Sequence, residues 1–202
     1  RILITGATGF VGQALCRHLM LQKGQLVPEG REHRESEGAL ESPSSRGLDI
    51  QLLIREPSDF SKIPPGLGAG YILGSMQDEA SLVAACSGRN QVIHLAGLAH
   101  VGKSSEQQAV DTNIQGTRNL LDAAIDAGVS RIVYLSSSLA EAAASGEGDV
   151  TAYGESKLQA EELLQGASNE GKIDVVILRA VNVYGPGMKG NIASMISMID
   201  RG

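Results

Sequence analysis

The chain is poor in aromatic side chains: its 202 residues include four Tyr and two Phe but no Trp. Leu, Ile, Val and Ala must therefore supply the hydrophobic core, and few rings remain for stacking on nucleic-acid bases. The formal net charge of −6 also opposes binding to a phosphate backbone. The composition therefore predicts no nucleic-acid partner.

Cysteines and metal-ligand clusters are equally scarce. Cys16 and Cys86 lie far apart in predicted helices, which is typical of reduced, buried thiols in a cytoplasmic protein. None of His18, His94 and His100 has a metal-like partner nearby in the sequence, so we expect core or surface histidines and no metal site. His100 follows a predicted strand and is the histidine that could face a substrate.

Long apolar segments and a visible signal peptide are also lacking. No apolar run approaches the roughly 18 residues that a transmembrane helix needs, so no membrane partner is expected. The first residues already belong to a predicted strand and show no charged or apolar leader. We therefore expect a cytoplasmic protein and a sequence trimmed from a longer chain.

Short apolar runs alternate with helical patterns along the chain. The predicted strands are Ile2–Ile4, Ile50–Ile54, Tyr71–Leu73, Val92–Leu95, Arg131–Leu135 and Val175–Leu178, and the predicted helices cover 13–22, 78–86, 105–127, 152–165 and 191–200. This alternation favours parallel pairing through right-handed crossovers. It predicts one α/β domain over residues 1–202, a doubly wound parallel sheet with its ligand crevice at the carboxyl ends of the strands.

Residues 28–48 differ from the rest of the chain. They contain five Glu, three Arg and almost no large apolar side chain. Such a segment cannot bury enough surface to offset its ordering entropy, so we predict a mobile surface insertion. A solvated loop is the favoured interpretation, and a lid over a cofactor is the alternative.

Three glycines follow the first strand and precede the first helix. Gly6 permits a tight turn, Gly9 lets the backbone approach a ligand, and Gly12 lets helix and strand pack closely. The helix N-terminus then presents N–H groups and a partial positive charge. The combination predicts a cradle for a pyrophosphate.

A second pattern joins a tyrosine and a lysine four residues apart. Tyr153 and Lys157 share one face of a predicted helix, and an ammonium near a phenol is expected to draw the pKa of the phenol down from about 10. Ser137, at the end of the fifth strand, can hydrogen-bond the same substrate oxygen. This trio suits proton transfer coupled to hydride transfer at a carbinol or a ketone.

Five motifs, in this order and spacing, resemble the extended short-chain dehydrogenases/reductases, the NAD(P)-dependent epimerase/dehydratase family that acts on nucleotide sugars. They are residues Thr5–Gly12, His94–Gly97, Leu135–Ser138, Tyr153–Lys157 and Arg179–Gly187. The run 183–191 is most similar to the UDP-sugar 4-epimerase and 4-keto-sugar reductase branch. The resemblance implies a Rossmann domain whose C-terminal substrate region is missing.

The resemblance also implies roles for individual residues. Ser137, Tyr153 and Lys157 would be catalytic, Ser138 is the substitute for Ser137 if the turn shifts by one residue, and Asn113 would lie near the active site. Asn182 and Ser138 would contact substrate. The cofactor would contact Gly6, Thr8, Gly9, Phe10, Val11, Gly12, Arg55, Met76, Leu95, Ala96, Gly97, Tyr153, Lys157 and Val183.

Three positions depart from the family's pattern. Ser75 replaces an Asp that meets adenine, Ala180 replaces a Pro, and Leu139–Ala142 stands where the family has Val-Tyr-Gly. At the end of the second strand Ile54 and Arg55 occur where an acid would bond the ribose hydroxyls of NAD. NADP is therefore the expected cofactor, with NAD as the alternative.

Two classes of function remain open. The first is an NAD(P)-dependent epimerase or 4-keto-sugar reductase with a UDP- or dTDP-sugar substrate, or a reductase of the same scaffold acting on a steroid- or flavonoid-like carbonyl. The second is a non-catalytic NADP-binding sensor. The intact trio of Ser137, Tyr153 and Lys157 favours the enzyme. A homodimer is compatible with either class.

Overall fold

The computed structural model describes residues 1–25, 48–98, 106–148, 150–188, 194–195 and 198–199, without the side chains of 23–25 and 106–109. The predicted insertion at 28–48 lies outside the described residues except for Leu48. His100 and most of the predicted helix at 191–200 also lie outside them.

Six strands in the described residues form one parallel sheet. They are β1 (Ile2–Thr5), β2 (Ile50–Ile54), β3 (Gly70–Leu73), β4 (Gln91–His94), β5 (Arg131–Ser137) and β6 (Asp174–Ala180). Their order is β3-β2-β1-β4-β5-β6. The chain starts in the middle, runs to one edge and returns to the other side of β1, so the order reverses between β1 and β4. The predicted doubly wound, Rossmann-type sheet is confirmed.

Five α-helices connect these strands in the described part of the chain. They are α1 (Phe10–Gln25), α2 (Glu79–Cys86), α3 (Glu106–Asp126), α4 (Ser138–Ser145) and α5 (Ala152–Asn169), and two short 3-10 helices lie at Phe60–Lys62 and Pro65–Leu67. All the α-helices except α4 were expected from the sequence, although α1 and α5 extend beyond their predicted ends. α4 contains Leu139–Ala142, the segment in which the sequence departs from the family's Val-Tyr-Gly.

Local signals explain α4. The Ser137 side chain caps the helix by accepting a hydrogen bond from the backbone N–H of Leu139, and Gly146 ends it in the left-handed conformation. Four Ala, one Leu and one Glu fill six of the eight positions between them. The segment is therefore a capped helix of strong helix formers.

The core has one cluster on each face of the sheet. Leu82, Leu120, Ile132 and Leu164 belong to the cluster under α2, α3 and α5, and the other packs on α1. Cys16 and Cys86 are both buried and free, as expected, and burial raises the pKa of the Cys86 thiol to about 11.

The sequence predicted neither a metal site nor a transmembrane helix. No group of three or more potential metal-ligating His, Cys, Asp or Glu residues occurs in the described ranges. Within the same ranges, each helix is too short or too polar to cross a bilayer.

Candidate active site

The glycine turn between β1 and α1 is closed by backbone contacts. Gly6 has φ +73°, and a Cβ added there would lie 2.6 Å from the backbone nitrogen of Ala96. A Cβ on Gly12 would lie 2.2 Å from the carbonyl oxygen of Gly6, and the Gly9 N–H donates to that same oxygen at 3.0 Å. The turn therefore tolerates no side chain at Gly6 or Gly12, because the segment after β4 and the start of α1 both press against it.

The first turn of α1 continues from this loop. The Gln13 N–H donates to the Gly9 carbonyl at 2.9 Å, and the Gln13 side chain donates to the Thr8 carbonyl at 3.0 Å. The preceding N–H groups of a helix have no partner within the helix and suit an anion. The backbone cradle, which side chains at Gly6 and Gly12 would obstruct, fits the pyrophosphate of a dinucleotide.

A crevice of about 220 Å³ lies at the carboxyl ends of β1 to β4. Eight of the predicted cofactor residues line it: Gly6, Thr8, Gly9, Arg55, Met76, Leu95, Ala96 and Gly97. The other lining residues were not predicted from the sequence, apart from Ser75 as a departure from the family's pattern; they are Thr5, Leu53, Ser58, Gly74, Gln77, Leu98 and Thr112. The strand ends were the signal that could have found most of them, because parallel strands present these residues along one edge.

The far end of the crevice lies beside β2 and β3. Arg55 is exposed there, with the half-buried Ser58 on the same wall. The Ser75 hydroxyl accepts a hydrogen bond from the Gln77 N–H at 3.3 Å, so it stabilises its own turn. Met76 is buried, and Asn119 of α3 donates to its carbonyl at 3.0 Å. This end therefore offers one cation, hydroxyl groups and an apolar wall.

Other predicted contacts lie outside the crevice wall. Gly12 is a packing residue, and Phe10 is 36% exposed at the start of α1. Phe10 lies near the segment after β6, since a Cβ on Gly185 would be 3.9 Å from its ring. Asn182 and Val183 are exposed at the carboxyl edge of β6. Their predicted roles stay predictions.

Lys157 reaches the rim of the crevice from α5. It is 4% exposed, and its Nζ donates to the Leu135 carbonyl at 2.7 Å. The same nitrogen lies 4.0 Å from the centre of the Tyr134 ring and 3.9 Å from the place of a Cβ on Gly97. Burial lowers the pKa of Lys157 to about 7, although the charge of Glu161 acts in the opposite direction.

Tyr153 lies one helical turn before Lys157, half-buried. Burial raises the pKa of its phenol, so the downward shift expected from the sequence is wrong for this structure. The physical reason is desolvation of the phenolate, while the Lys157 ammonium is bonded to the Leu135 carbonyl.

Ser137 and Ser138 lie where β5 becomes α4. The Ser137 hydroxyl oxygen accepts from the Leu139 N–H at 3.2 Å, which leaves the hydroxyl proton for another acceptor. The backbone of α4 then packs directly on α5, since a Cβ on Gly154 would lie 2.5 Å from the Leu139 carbonyl oxygen. α4 thus brings the serine pair and the start of α5 together.

Asn113 of α3 ties the crevice rim to α5. Its side chain accepts from the Leu98 N–H at 2.9 Å and donates to the Leu98 carbonyl at 3.2 Å. It also donates to the Ser156 hydroxyl at 3.0 Å, and that hydroxyl donates to the Tyr153 carbonyl at 2.8 Å. Asn113 therefore joins the crevice rim to α5 through one side chain.

His94 is a core histidine, as expected, and His18 is a surface one. The Nδ1 of His94 lies 2.7 Å from the Thr5 hydroxyl, and its Nε2 lies 3.1 Å from the Thr117 hydroxyl. Burial lowers the pKa of His94 to about 3, with Lys157 as a secondary cause. The ring is thus neutral and joins the end of β1 to α3.

Comparison with known proteins gives consistent matches. Residues 2–202 match the model of the NAD dependent epimerase/dehydratase family. A UDP-glucose 4-epimerase of Vibrio cholerae is 30% identical, over all of this chain and 57% of the relative. A sterol demethylase protein B of Methylococcus capsulatus is 30% identical, over 67% of this chain and 34% of the relative.

A solved structure extends these matches. The Bordetella bronchiseptica enzyme WbmG, in complex with NAD and UDP, is 25% identical with a TM-score of 0.72, over 100% of this chain and 59% of that one. The chain thus spans less than two thirds of the length of each of these three proteins.

Proposed function

The chain belongs to the NAD-dependent epimerase/dehydratase family, and from that premise we propose that it is the cofactor-binding part of a nucleotide-sugar 4-epimerase or 4-keto-sugar reductase. The observation that carries the proposal is the position of Lys157. Its buried ammonium lies beside Gly97 at the rim of the crevice, one helical turn from the half-buried Tyr153. The substrate would be a UDP- or dTDP-sugar; the relative named UDP-glucose 4-epimerase and the WbmG complex with UDP support the UDP-sugar.

In this proposal the glycine turn holds the pyrophosphate of the cofactor. The first N–H groups of α1 face the anion, and Gly6 and Gly12 keep the backbone close to it. When bound, a nicotinamide cofactor supplies the acceptor or donor of a hydride at the sugar carbon.

Tyr153 moves the matching proton at the sugar oxygen. A phenol whose pKa is raised by burial holds its proton at neutral pH, so in the resting structure it is poised to donate. A phenolate formed there would gain stabilisation from the Lys157 ammonium. The Ser137 hydroxyl, with its proton free for another acceptor, would donate to the same sugar oxygen.

NADP is the preferred cofactor in this proposal. The support is chemical: Arg55 and Ser58 line the end of the crevice next to β2, where a 2′-phosphate would lie. An acidic side chain there would repel the phosphate and favour NAD, but the residues are Ile54 and Arg55. Titration of the protein with NADP⁺ and NAD⁺ tests this preference directly.

Replacing Tyr153 with Phe in the full-length protein tests the catalytic proposal. We expect turnover of UDP-sugars, followed at the nicotinamide absorbance band, to fall by roughly 10²- to 10⁴-fold with an unchanged Kd for the cofactor. Tyr71→Phe is the matched control, because Tyr71 is 57% exposed on the edge strand β3. Unchanged turnover in Tyr153→Phe would remove the phenol from the mechanism, and cofactor binding without turnover in the parent protein would favour the sensor.

A sterol-like carbonyl is the second candidate substrate. The relative named sterol demethylase protein B supports it, because that protein is 30% identical to this chain over 67% of this chain's length. The same absorbance assay with a 3-ketosteroid and with UDP-glucose separates the two. Turnover of the steroid alone would replace the sugar proposal and keep the roles of Tyr153 and Lys157.

A further inference from the structure

Charges of alternating sign run from α5 to α4 behind the proposed site. Lys157 and Glu161 lie one turn apart on α5. Arg179 of β6 binds the Glu161 carboxylate through two nitrogens of its guanidinium. Its Nε lies 3.1 Å from each carboxylate oxygen, and its Nη2 lies 2.7 Å from Oε2. The remaining nitrogen of Arg179, Nη1, pairs with Glu141 of α4.

The two carboxylates in this chain of charges differ in burial. The side chain of Glu161 is 6% exposed, whereas that of Glu141 is 64% exposed. A buried carboxylate is costly unless it is paired and hydrogen-bonded, and the bidentate contact with Arg179 meets that need. The exposed pair with Glu141 contributes little stability. Because the pair joins the first turn of α4 to β6, its geometry points to a role in placing α4.

α4 has other anchors near its start, among them the fully buried Ala140. It begins at the Ser137 cap and packs its Leu139 carbonyl on Gly154 of α5. Glu141 follows within the first turn, and its ion pair with Arg179 links this turn of the helix to β6. This is the segment in which the chain departs from the family's Val-Tyr-Gly.

We propose that Arg179, with Glu161 and Glu141, forms a positioning bridge that holds Ser137 against α5 and places a negative charge one helical turn behind Lys157. The roles of Ser137 and Lys157 rest on the proposed function. The bridge itself rests on the contacts of Arg179, which touch neither the crevice wall nor the proposed substrate.

The groups that face Lys157 show why the charge of Glu161 matters. The ring of Tyr134 on β5 faces Lys157, and burial raises the pKa of the Tyr134 phenol. His94 on β4 is neutral, because burial lowers its pKa to about 3. On α5, Tyr153 is also uncharged at neutral pH, since burial raises its pKa. Glu161 is thus the anion among these described neighbours, and its charge raises the pKa of Lys157 against the larger effect of burial.

The charge effect is measurable without substrate. With ¹³Cε-labelled lysine the chain gives few side-chain signals, because it has six lysines, and Lys157→Met assigns the signal of Lys157. In Glu161→Gln we expect the proton affinity of Lys157 to fall roughly tenfold in an NMR pH titration. Glu162→Gln is the matched control, since Glu162 is the exposed neighbour on the same helix. A Lys157 titration that is the same in both variants would overturn the charge role.

The placement of α4 is tested at an exposed position, so that the variant still folds. In Glu141→Gln we expect the Leu139 amide, which is bonded to the Ser137 hydroxyl, to exchange with solvent roughly two- to fivefold faster. Glu147→Gln is the control, because Glu147 is exposed beyond the end of α4. Equal exchange in the two variants would overturn the positioning role.

Turnover of a UDP-sugar by the full-length protein separates this proposal from the proposed function. If the function fails, the parent protein shows no turnover, yet the NMR and exchange effects still appear. If the bridge fails, the parent protein turns over, and Glu161→Gln and Glu141→Gln keep its pH profile. We expect instead that in Glu161→Gln the pH limb assigned to Lys157 moves about one pH unit lower, to a roughly tenfold higher proton concentration.

Discussion

The two halves of the site are held in different ways. At the glycine turn the backbone itself forms the wall: Gly6 presses against the segment after β4, and Gly12 presses against Gly6. At the proposed catalytic end, side chains from β5, β6, α4 and α5 hold the elements together, as in the contacts of Lys157 with the Leu135 carbonyl and of Arg179 with Glu161. We therefore expect the first half to be sensitive to added side-chain volume, and the second half to be sensitive to the removal of a charged group.

Gly6→Ala is expected to break the first half with the largest effect. A Cβ at Gly6 meets backbone atoms at 2.6 Å in addition to a positive φ, so the variant should lose several kcal/mol of stability and its cofactor binding. Gly128→Ala is the matched control, because Gly128 has φ +70° but open space around its Cβ position. It should lose only about 1–2 kcal/mol. Urea unfolding and NADP⁺ titration measure both, and equal losses would mean that conformation, not contact, closes the turn.

Lys157→Met should change the pH dependence of stability at the charged half. The folded pKa of Lys157 is about 7 and the ordinary value is 10.5, so between these values the unfolded chain binds a proton that the folded chain does not. Stability therefore rises with pH in this range, by up to about 1.4 kcal/mol per pH unit. Urea unfolding from pH 7 to 9.5 should show this rise reduced in Lys157→Met. The exposed Lys62, replaced with Met, is the control, and a rise of equal size in Lys157→Met would show that the buried ammonium is fully stabilised.

The sequence predicted the first half of the site better than the second. Glycines at fixed positions after a short apolar strand depend on local backbone geometry, so Gly6, Gly9 and the crevice could be located in advance. The contacts of Arg179 could not be predicted, because Arg179 and Glu141 are far apart in the sequence. The sheet brings them together by pairing β6 with β5, the strand that leads into α4. The same holds for the pKa of Tyr153, whose direction depends on burial and not on the spacing to Lys157.

His94 links the two halves of the site. We expect its replacement to have a smaller effect, on the stability of the fold at acid pH. The Thr117 hydroxyl donates to the Asn113 carbonyl at 2.6 Å, so it accepts from His94 Nε2, and Nδ1 is left to accept from Thr5. The folded pKa of about 3 lies below the ordinary 6.5, so His94 contributes stability above pH 6.5 that is lost as the pH falls towards 3.

Replacing His94 with Gln should therefore flatten the acid limb. We expect the loss of stability between pH 6.5 and 4.5 to shrink by up to about 1.4 kcal/mol per pH unit, measured by urea unfolding. His18→Gln, on the exposed side of α1, should leave the limb of the parent protein unchanged. An acid limb in His94→Gln as steep as in the parent would assign the effect to carboxylates instead.

Arg55→Ala has the smallest expected effect. It removes a charge from the glycine-turn half of the site, whose wall is formed by backbone, and so tests whether charge matters there too. Arg55 is exposed, so its guanidinium can contribute one charge-assisted contact to a 2′-phosphate and little to folding. We expect the preference for NADP⁺ over NAD⁺ to fall about tenfold, the equivalent of about 1.4 kcal/mol, with an unchanged Kd for NAD⁺. Arg17→Ala, an exposed arginine on α1 that does not line the crevice, is the control. If both cofactors weaken equally in Arg55→Ala, the arginine contacts the part of the dinucleotide that they share, and the choice between them lies with Ser58 or with residues outside the described ranges.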